Sequence, residues 1–328
     1  MQSEKLKQGD KVCVIAPSRS LGIISQQTIS LASAKLNEIG LEVCVAKNAY
    51  QMDEFHSSSV QSRLEDLHTA FADKTIKGIL TAIGGHNSNQ LLNKIDYALI
   101  KANPKIFCGF SDITALSNAI FAQTGLITYS GPHFSTFGME KGIEYTVDYF
   151  KKCLMEEAAF PVSPSKHWSD DEWYIDQDNR TFYENSGCLV IKPGAVKGRV
   201  FGGNLCTLNL LQGSVYFPDI ENSVLFIEED NLLNNNTLIE FDRNLQSMID
   251  LKLFKKIKGI LIGRFQKDSE ITNTQITKLI CSKPELQSIV VVANVDFGHT
   301  TPQITFPIGG EIEITADEHH CKIIITRH

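Results

Sequence analysis

Three polar residues that could act together in catalysis each follow a short apolar run, at widely separated points of the chain. Ser111 lies in CGFSDITAL, Glu228 in VLFIEED and His299 in VVVANVDFGHTTP. A serine hydroxyl becomes a nucleophile when a base takes its proton and an acid orients that base, and histidine is the side chain that most often serves as the base. These residue types suit a serine hydrolase, although their order along the chain does not bring them together in space.

Each of the three residues also has a purely structural interpretation. Ser111 precedes a predicted helix and could be its N-cap, with its hydroxyl accepting a hydrogen bond from a backbone N–H near Thr114. The alternative is a nucleophile on a sharp turn from strand to helix, close to backbone N–H groups that hold an oxyanion. Ile113 replaces the second glycine of the GxSxG motif, so local sequence does not decide between them. Glu228 could equally be a solvated carboxylate, and His299 a solvated or structural histidine.

The first part of the chain, from about residue 11 to 129, alternates predicted strands with predicted helices. Buried strands are predicted at KVCVIAP, LEVCVA, GILTAIGG and KIFCGF, and helices at SQQTISLASAKLNEIG, SSSVQSRLEDLHTAFAD and DITALSNAIFAQTG. This alternation predicts a doubly wound, Rossmann-like parallel α/β sheet. Such sheets bind ligands at the carboxyl ends of their strands, where Ser18, Gly85 and Ser111 lie.

The pattern breaks between about residues 160 and 196 and then resumes. The stretch SPSKHWSDDEWYIDQDNRTFYENSG is polar, acidic and aromatic, which is typical of a long connection or flap. Strands return at KGRVFGGN, SVLFIEE, KGILIGRF and SIVVVANVDFG, helices at NLCTLNLLQG, TLIEFDRNLQSMID and TNTQITKLICSK, and a hairpin at GGEIEITADEHHCKIIITR. We expect an N-terminal domain over 1–160, a flap over 161–195 and a C-terminal domain over 196–328.

Composition excludes several classes of function. The chain has 328 residues and a formal net charge of −7, which speaks against a nucleic-acid-binding surface. It has no apolar run of about 20 residues and no signal-peptide h-region, so we expect a cytoplasmic protein without a membrane anchor. Its eight cysteines are scattered without a CxxC pair, and we expect buried thiols rather than zinc ligands or disulfides.

Eight stretches together resemble the LD-carboxypeptidase family of serine peptidases, which includes the microcin C self-immunity proteins. They are VIAPS, TAIGGHNSNQLL, CGFSDITAL, GRVFGGNLCTLNLLQG, VLFIEED, FDRNLQSM, GILIGRFQK and VANVDFGHTTPQITFPIGG. The resemblance implies an N-terminal parallel α/β domain carrying the nucleophile and a β-rich C-terminal α/β domain carrying acid and base, with the active site at their interface. It also implies a homodimer.

The same resemblance implies a role for each site residue. Ser111 would be the nucleophile, His299 the base and Glu228 the orienting acid, while the backbone N–H groups of Gly85 and Asp112 would form the oxyanion hole. No metal or other cofactor is implied. The possible ligands His86, His133 and Asp296 match no known metal spacing.

Two branches of this family suggest different substrates. The microcin-immunity branch cleaves the amide between an acidic amino acid and a nucleotide-like group, and GGHNSNQ and WSDDEW resemble this branch more closely. The alternative is a murein tetrapeptide carboxypeptidase that releases terminal D-alanine, so the expected partner is a small peptide or an aminoacyl-nucleotide. A third, remote alternative is a binding protein that holds an anion at Gly84-Gly85 without chemistry.

Three further residues are candidates for substrate binding. Trp168 and Trp173 could stack on a purine, a contact worth about 1–3 kcal/mol, or they could pin the flap to the body of the protein. Asn204 follows Gly202-Gly203 at a turn that the family places near the substrate, but it could equally be an ordinary helix N-cap.

Overall fold

The computed structural model describes residues 1–328, which form two main β-sheets and the helices around them. The strands are β1 (Lys11–Ile15), β2 (Glu42–Val45), β3 (Ile76–Thr81), β4 (Ile106–Cys108), β5 (Thr128–Ser130), β6 (Phe160–Val162), β7 (His167–Trp168), β8 (Tyr183–Glu184), β9 (Leu189–Lys192), β10 (Gly194–Asn204), β11 (Val224–Glu228), β12 (Gly259–Gly263), β13 (Val290–Val295), β14 (Phe306–Ile308), β15 (Glu311–Ala316) and β16 (Cys321–Arg327).

The α-helices are α1 (Gln26–Glu38), α2 (Val60–Ala72), α3 (Tyr97–Ala102), α4 (Thr114–Thr124), α5 (Glu144–Leu154), α6 (Leu205–Asn209), α7 (Thr237–Ile249) and α8 (Asn273–Cys281). Short 3-10 helices span Leu21–Ile23, Ser88–Lys94, Ser111–Ile113, Ser135–Gly138, Asn234–Asn236, Lys252–Lys256, Lys267–Ser269 and Pro284–Leu286.

The first sheet has the strand order β14-β5-β4-β3-β1-β2. Strands β1 to β5 run parallel, which confirms the predicted doubly wound parallel sheet. The prediction of a buried strand at LEVCVA was wrong in one respect: β2 lies at the edge of the sheet and is half-exposed, because it has a neighbour on one side only.

The second sheet has the order β6-β16-β15-β10-β11-β12-β13-β9. Its centre is parallel from β10 to β13, while β9, β15, β16 and β6 pair antiparallel at the two sides. This is the β-rich α/β part that we expected in the second half of the chain, and β15 and β16 form the predicted hairpin.

Each of the two sheets contains one strand from the part of the chain that mainly forms the other sheet. β14 lies in sequence between β13 and β15 of the second sheet but pairs with β5 of the first, whereas β6 precedes the other strands of the second sheet and joins it through β16. The buried ring of Phe226 on β11 stacks on Phe306 of β14, with ring centroids 4.6 Å apart. The cores of both sheets are therefore continuous, and the carboxyl ends of β4 and β11 are held in a fixed relation.

The segment 161–195 contains a small hairpin of β7 and β8, in which Trp168 faces Tyr183. Ser169 forms an isolated bridge with Thr301, two residues after His299. The segment is thereby attached beside the candidate site. The division of the chain at residues 160 and 196 stays a prediction.

None of the helices combines the length and apolarity required to cross a membrane. All eight cysteines are free, but the expectation that they are buried holds only for some of them. Cys206 and Cys281 are exposed, because both lie on helix faces that are turned away from the core.

Candidate active site

Ser111 lies on a strained turn between β4 and α4. Its φ angle is 58°, in the left-handed region that costs a residue other than glycine about 1–3 kcal/mol. The N-cap interpretation is wrong, because the N-cap position of α4 is Ile113 and no side chain caps the helix. Instead, the Ser111 hydroxyl oxygen lies 3.1 Å from Nε2 of His299.

Glycines make room for this turn. A Cβ atom on Gly109 would lie 2.1 Å from Oγ1 of Thr81, and one on Gly84 would lie 2.9 Å from Cβ of Ser111. Real Cβ atoms do not approach other atoms so closely, and neither position can accept a side chain without a shift of its surroundings. The strand ends thus bring backbone close to the serine.

His299 and Glu228 come from the carboxyl ends of two strands of the second sheet. Glu228 ends β11 and is 3% exposed, and its Oε2 lies 2.6 Å from Nδ1 of His299, which follows β13. Of the three consecutive acids 228–230, Glu228 is therefore the one that contacts the histidine. The structure brings Ser111, His299 and Glu228 into one hydrogen-bonded chain.

The carboxylates near His299 change the pKa of its imidazole. Burial alone would disfavour the imidazolium, but the charge and hydrogen bond of Glu228, together with the charges of Asp230 and Glu229, outweigh burial and raise the pKa of His299 to about 9. At neutral pH the imidazolium form is therefore favoured before a substrate arrives.

Two backbone N–H groups beside Ser111 are free to bind an oxyanion. Those of Gly85 and Asp112 donate to no group of the chain, and both residues line the same pocket as Ser111. Gly85 has a φ of 155°, and a Cβ there would lie 2.2 Å from the hydroxyl of Ser18. Only glycine fits at this position.

The Asp112 carboxylate forms a network that sequence reasoning missed. It is 3% exposed, and its Oδ2 accepts hydrogen bonds from the Ser18 hydroxyl at 2.5 Å and from the Ser88 backbone N–H at 2.9 Å. Arg63 Nη1 donates to the carbonyls of Pro17 and Asn87. These contacts tie the loop that carries Gly85 to the serine turn.

A pocket of about 290 Å³ opens at Ser111. Its lining residues are Gly85, His86, Ser111, Asp112, Asn204, Cys206, Thr207, Leu210, Glu229, Asp230, Leu232, Leu233, Thr237, Glu240 and Asn244. Asn204 is indeed the N-cap of α6, since its Oδ1 accepts from the Thr207 N–H at 3.0 Å. It also lines the pocket, so capping does not remove it from the site.

The two tryptophans lie outside this pocket. The Arg264 guanidinium covers the ring of Trp168 at 5.0 Å, and Tyr183 packs beside the same ring. Trp173 contacts Tyr174 edge to face. These contacts favour a pinning role for Trp168, and purine stacking by either tryptophan stays a prediction.

The three residues considered as metal ligands have separate surroundings. His86 lines the pocket, His133 is buried with its Nδ1 2.7 Å from the Thr81 hydroxyl, and Asp296 pairs with Arg264 at 3.1 Å. Burial lowers the pKa of His133 to about 3, so that this imidazole stays neutral. No group of three or more His, Cys, Asp or Glu side chains could hold a metal ion.

Known proteins with similar sequences cover nearly the entire chain. A protein of Bacillus subtilis strain 168 named "Putative carboxypeptidase YocD" is 49% identical over all of both chains. The microcin C7 self-immunity protein MccF of Escherichia coli is 30% identical over 94% of both chains. A "Probable murein peptide carboxypeptidase" of Bacillus subtilis is 29% identical over 95% of this chain and 91% of its own.

Solved structures agree with these similarities. An MccF-like protein from Bacillus anthracis superposes with a TM-score of 0.99 and 52% identity over all of both chains. MccF in complex with aspartyl sulfamoyl adenosine superposes with a TM-score of 0.88 and 28% identity, over 100% of this chain and 99% of the other.

The family match follows the two sheets. The LD-carboxypeptidase N-terminal domain matches residues 12–131, and the LD-carboxypeptidase C-terminal domain matches residues 197–314. These matches confirm the family that the sequence motifs indicated. The chain belongs to the LD-carboxypeptidase family of serine peptidases and is a serine-type carboxypeptidase.

Proposed function

We propose that Ser111, His299 and Glu228 form a catalytic triad that hydrolyses the amide between an acidic amino acid and a nucleotide-like group. The observation that carries this proposal is the hydrogen-bonded chain in which Ser111 Oγ lies 3.1 Å from His299 Nε2 and His299 Nδ1 lies 2.6 Å from Glu228 Oε2. A nucleophile, a base and an orienting acid have this arrangement in serine hydrolases.

Each group has one role in the reaction. Neutral His299 takes the proton of Ser111 as the serine oxygen attacks the substrate carbonyl, and Glu228 stabilises the imidazolium that forms. The N–H groups of Gly85 and Asp112 hold the negative oxygen of the tetrahedral intermediate. His299 then gives its proton to the leaving nitrogen, and water hydrolyses the acyl-enzyme.

The choice of substrate follows from the similar proteins. MccF, which superposes over the entire chain, has been solved with aspartyl sulfamoyl adenosine, and this supports an aminoacyl-nucleotide substrate. Release of D-alanine from murein tetrapeptide is the second candidate, because a relative of similar length is named as a murein peptide carboxypeptidase. The third alternative, a protein that binds an anion without catalysis, does not explain the strained backbone of Ser111 or the contact of Ser111 with His299.

Turnover of two substrates tests the proposal. Purified protein is assayed with aspartyl sulfamoyl adenosine and with murein tetrapeptide, and the first is expected to be cleaved faster. Ser111→Ala should lower kcat by roughly 10⁴-fold or more, while the control Ser30→Ala, at an exposed position of α1, should leave kcat unchanged. Turnover retained in Ser111→Ala would refute the nucleophile. Sedimentation equilibrium tests the homodimer that the resemblance implies.

A further inference from the structure

The pocket that opens at Ser111 is lined by carboxyl groups and by no lysine or arginine. Glu229, Asp230 and Glu240 all contribute to its wall. Glu240 is already paired with Arg243, at 2.6 Å. Neither Glu229 nor Asp230 forms an ion pair within the chain, so a positive charge that enters the pocket meets no competing cation there.

Glu229 is the more deeply placed of these two carboxyls. It is 7% exposed, and its side-chain hydrogen-bond donors are two neutral amides: Asn244 Nδ2 at 3.1 Å and Asn204 Nδ2 at 3.4 Å. A buried carboxylate that has only neutral donors is unfavourable compared with one paired to a cation. The group is therefore set up to gain from a positive charge that enters the pocket.

The protonation of Glu229 agrees with this geometry. Burial, together with the charges of Glu228 and Asp230, raises the pKa of Glu229 to about 8. In the empty pocket at neutral pH the carboxyl is mainly protonated, whereas a bound cation would favour the carboxylate. When a cation binds next to Glu229, the carboxyl proton passes to solvent and the carboxylate forms a charge-assisted hydrogen bond with the cation.

We propose that Glu229 is a specificity-determining residue that binds an ammonium group of the substrate next to the scissile carbonyl. This inference rests on the proposed function, because it assigns the pocket to the acyl part of that substrate. Asp230 adds to the negative field at the same wall. Two sources can supply the ammonium group: the α-amino group of the acidic amino acid in the proposed substrate, or the side-chain amino group of a diamino acid that takes the place of that acidic amino acid.

Three substrates separate the two sources. They are aspartyl sulfamoyl adenosine, its N-acetyl derivative, which has no ammonium group, and Nα-acetyl-lysyl sulfamoyl adenosine, which has only a side-chain ammonium group. We expect at least one ammonium-bearing substrate to have a kcat/KM about tenfold or more above that of N-acetyl-aspartyl sulfamoyl adenosine. A fast aspartyl form assigns the α-amino group, and a fast Nα-acetyl-lysyl form assigns the side-chain group.

Glu229→Gln should erase this preference, because glutamine has the shape of the protonated carboxyl but cannot become negative. Asp230→Asn should reduce the preference less. The control Glu221→Gln, in a surface ion pair with Lys256, should leave it unchanged, and thermal melting shows whether each variant is folded. A preference that survives in folded Glu229→Gln would arise from the bulk of the acetyl group and would overturn the inference.

Binding to Ser111→Ala, measured by calorimetry, keeps the two proposals apart. The proposed function fails when no substrate is turned over by the native protein. The ammonium site fails when aspartyl, N-acetyl-aspartyl and Nα-acetyl-lysyl sulfamoyl adenosine bind Ser111→Ala equally well, or when Glu229→Gln in the same background leaves their relative affinities unchanged.

Discussion

Glu228 is the last residue of β11 and Glu229 follows it directly, yet their carboxyl groups have separate surroundings. Oε2 of Glu228 lies 2.6 Å from Nδ1 of His299, whereas Oε1 of Glu229 accepts from Asn244 and lines the pocket at Ser111. Successive side chains of a strand point to opposite faces. The end of β11 therefore supplies one carboxyl to the histidine, and the next residue supplies one to the pocket at Ser111.

The rate of hydrolysis should rise with pH up to about 9. His299 acts as a base only when neutral, and its surroundings raise its pKa to about 9, so protonation removes the base progressively below that pH. We expect kcat/KM to increase through the neutral range and to level off near pH 9. The measurement is a pH–rate profile with unfolding monitored in parallel, and a profile that is already flat from pH 6 would contradict the assignment.

Glu228→Gln should shift this profile and lower the rate. Removal of the carboxylate leaves burial as the dominant influence on His299, which lowers its pKa, so the acid limb should move to lower pH. The orienting acceptor is also weakened, and we expect kcat to fall by roughly 10³- to 10⁴-fold. Glu313→Gln, on the surface of β15, is the matched control. An acid limb that stays in place would mean that another carboxyl sets the pKa.

The long parallel elements could be predicted from sequence, whereas the strand exchange could not. β1, β3 and β12 are mostly apolar runs, and α7 has clear helical periodicity. β6 and β14 have three residues each, FPV and FPI, and so short a run around a proline shows no period. Their pairing depends on contacts that only the assembled core provides.

The catalytic residues of the site were easier to predict than the hydrogen bonds and backbone angles that hold them in place. Ser111 follows a strand of the first sheet and His299 a strand of the second, so strand pattern alone does not place them together, and only the resemblance to the family assigned them to one site. The hydrogen bond from Ser18 to Asp112 joins residues 94 positions apart, and no spacing or composition indicates it. Nothing in the sequence indicates the positive φ of Ser111 either, because a serine before a helix is usually an N-cap.

Gly85→Ala should damage both stability and catalysis. The new methyl group would lie 2.2 Å from the hydroxyl of Ser18, and alanine is strained at a φ of 155°. The loop must move, and one of the two free N–H groups beside Ser111 moves with it. We expect kcat to fall by about 10²-fold or more. Gly187→Ala is the matched control, because Gly187 also has a positive φ but has no atom within 4 Å of an added Cβ.

In this pair, the control isolates the cost of backbone strain. Gly187→Ala should lose about 1 kcal/mol of unfolding free energy and keep full activity, whereas Gly85→Ala should lose more stability and most of its activity. Urea unfolding and initial rates measure the two effects separately. Equal activity in both variants would remove Gly85 from the oxyanion hole.

Asp112→Asn should loosen the loop that carries Gly85. The carboxylate accepts from the Ser18 hydroxyl and the Ser88 N–H through the same oxygen, and an amide at this position presents one acceptor and one competing donor. Loss of a buried, charge-assisted bond costs about 1–3 kcal/mol of unfolding free energy. We expect a lower urea midpoint and a reduced kcat, with KM less affected. Asp219→Asn, at an exposed position, should change neither.

The two tryptophans should respond differently to substitution. Trp168 packs against Tyr183 and under the Arg264 guanidinium, a cation–π contact worth about 1–2 kcal/mol when desolvated. Trp168→Ala should therefore lower the melting temperature and speed proteolysis within residues 169–182.

No cation lies over the Trp173 ring, and we predict that this ring stacks on the purine of the substrate. Trp173→Ala should keep the melting temperature and weaken the binding of aspartyl sulfamoyl adenosine to Ser111→Ala by about tenfold or more. Unchanged binding in both tryptophan variants would leave the flap with a structural role only, since neither ring would then contact the nucleoside.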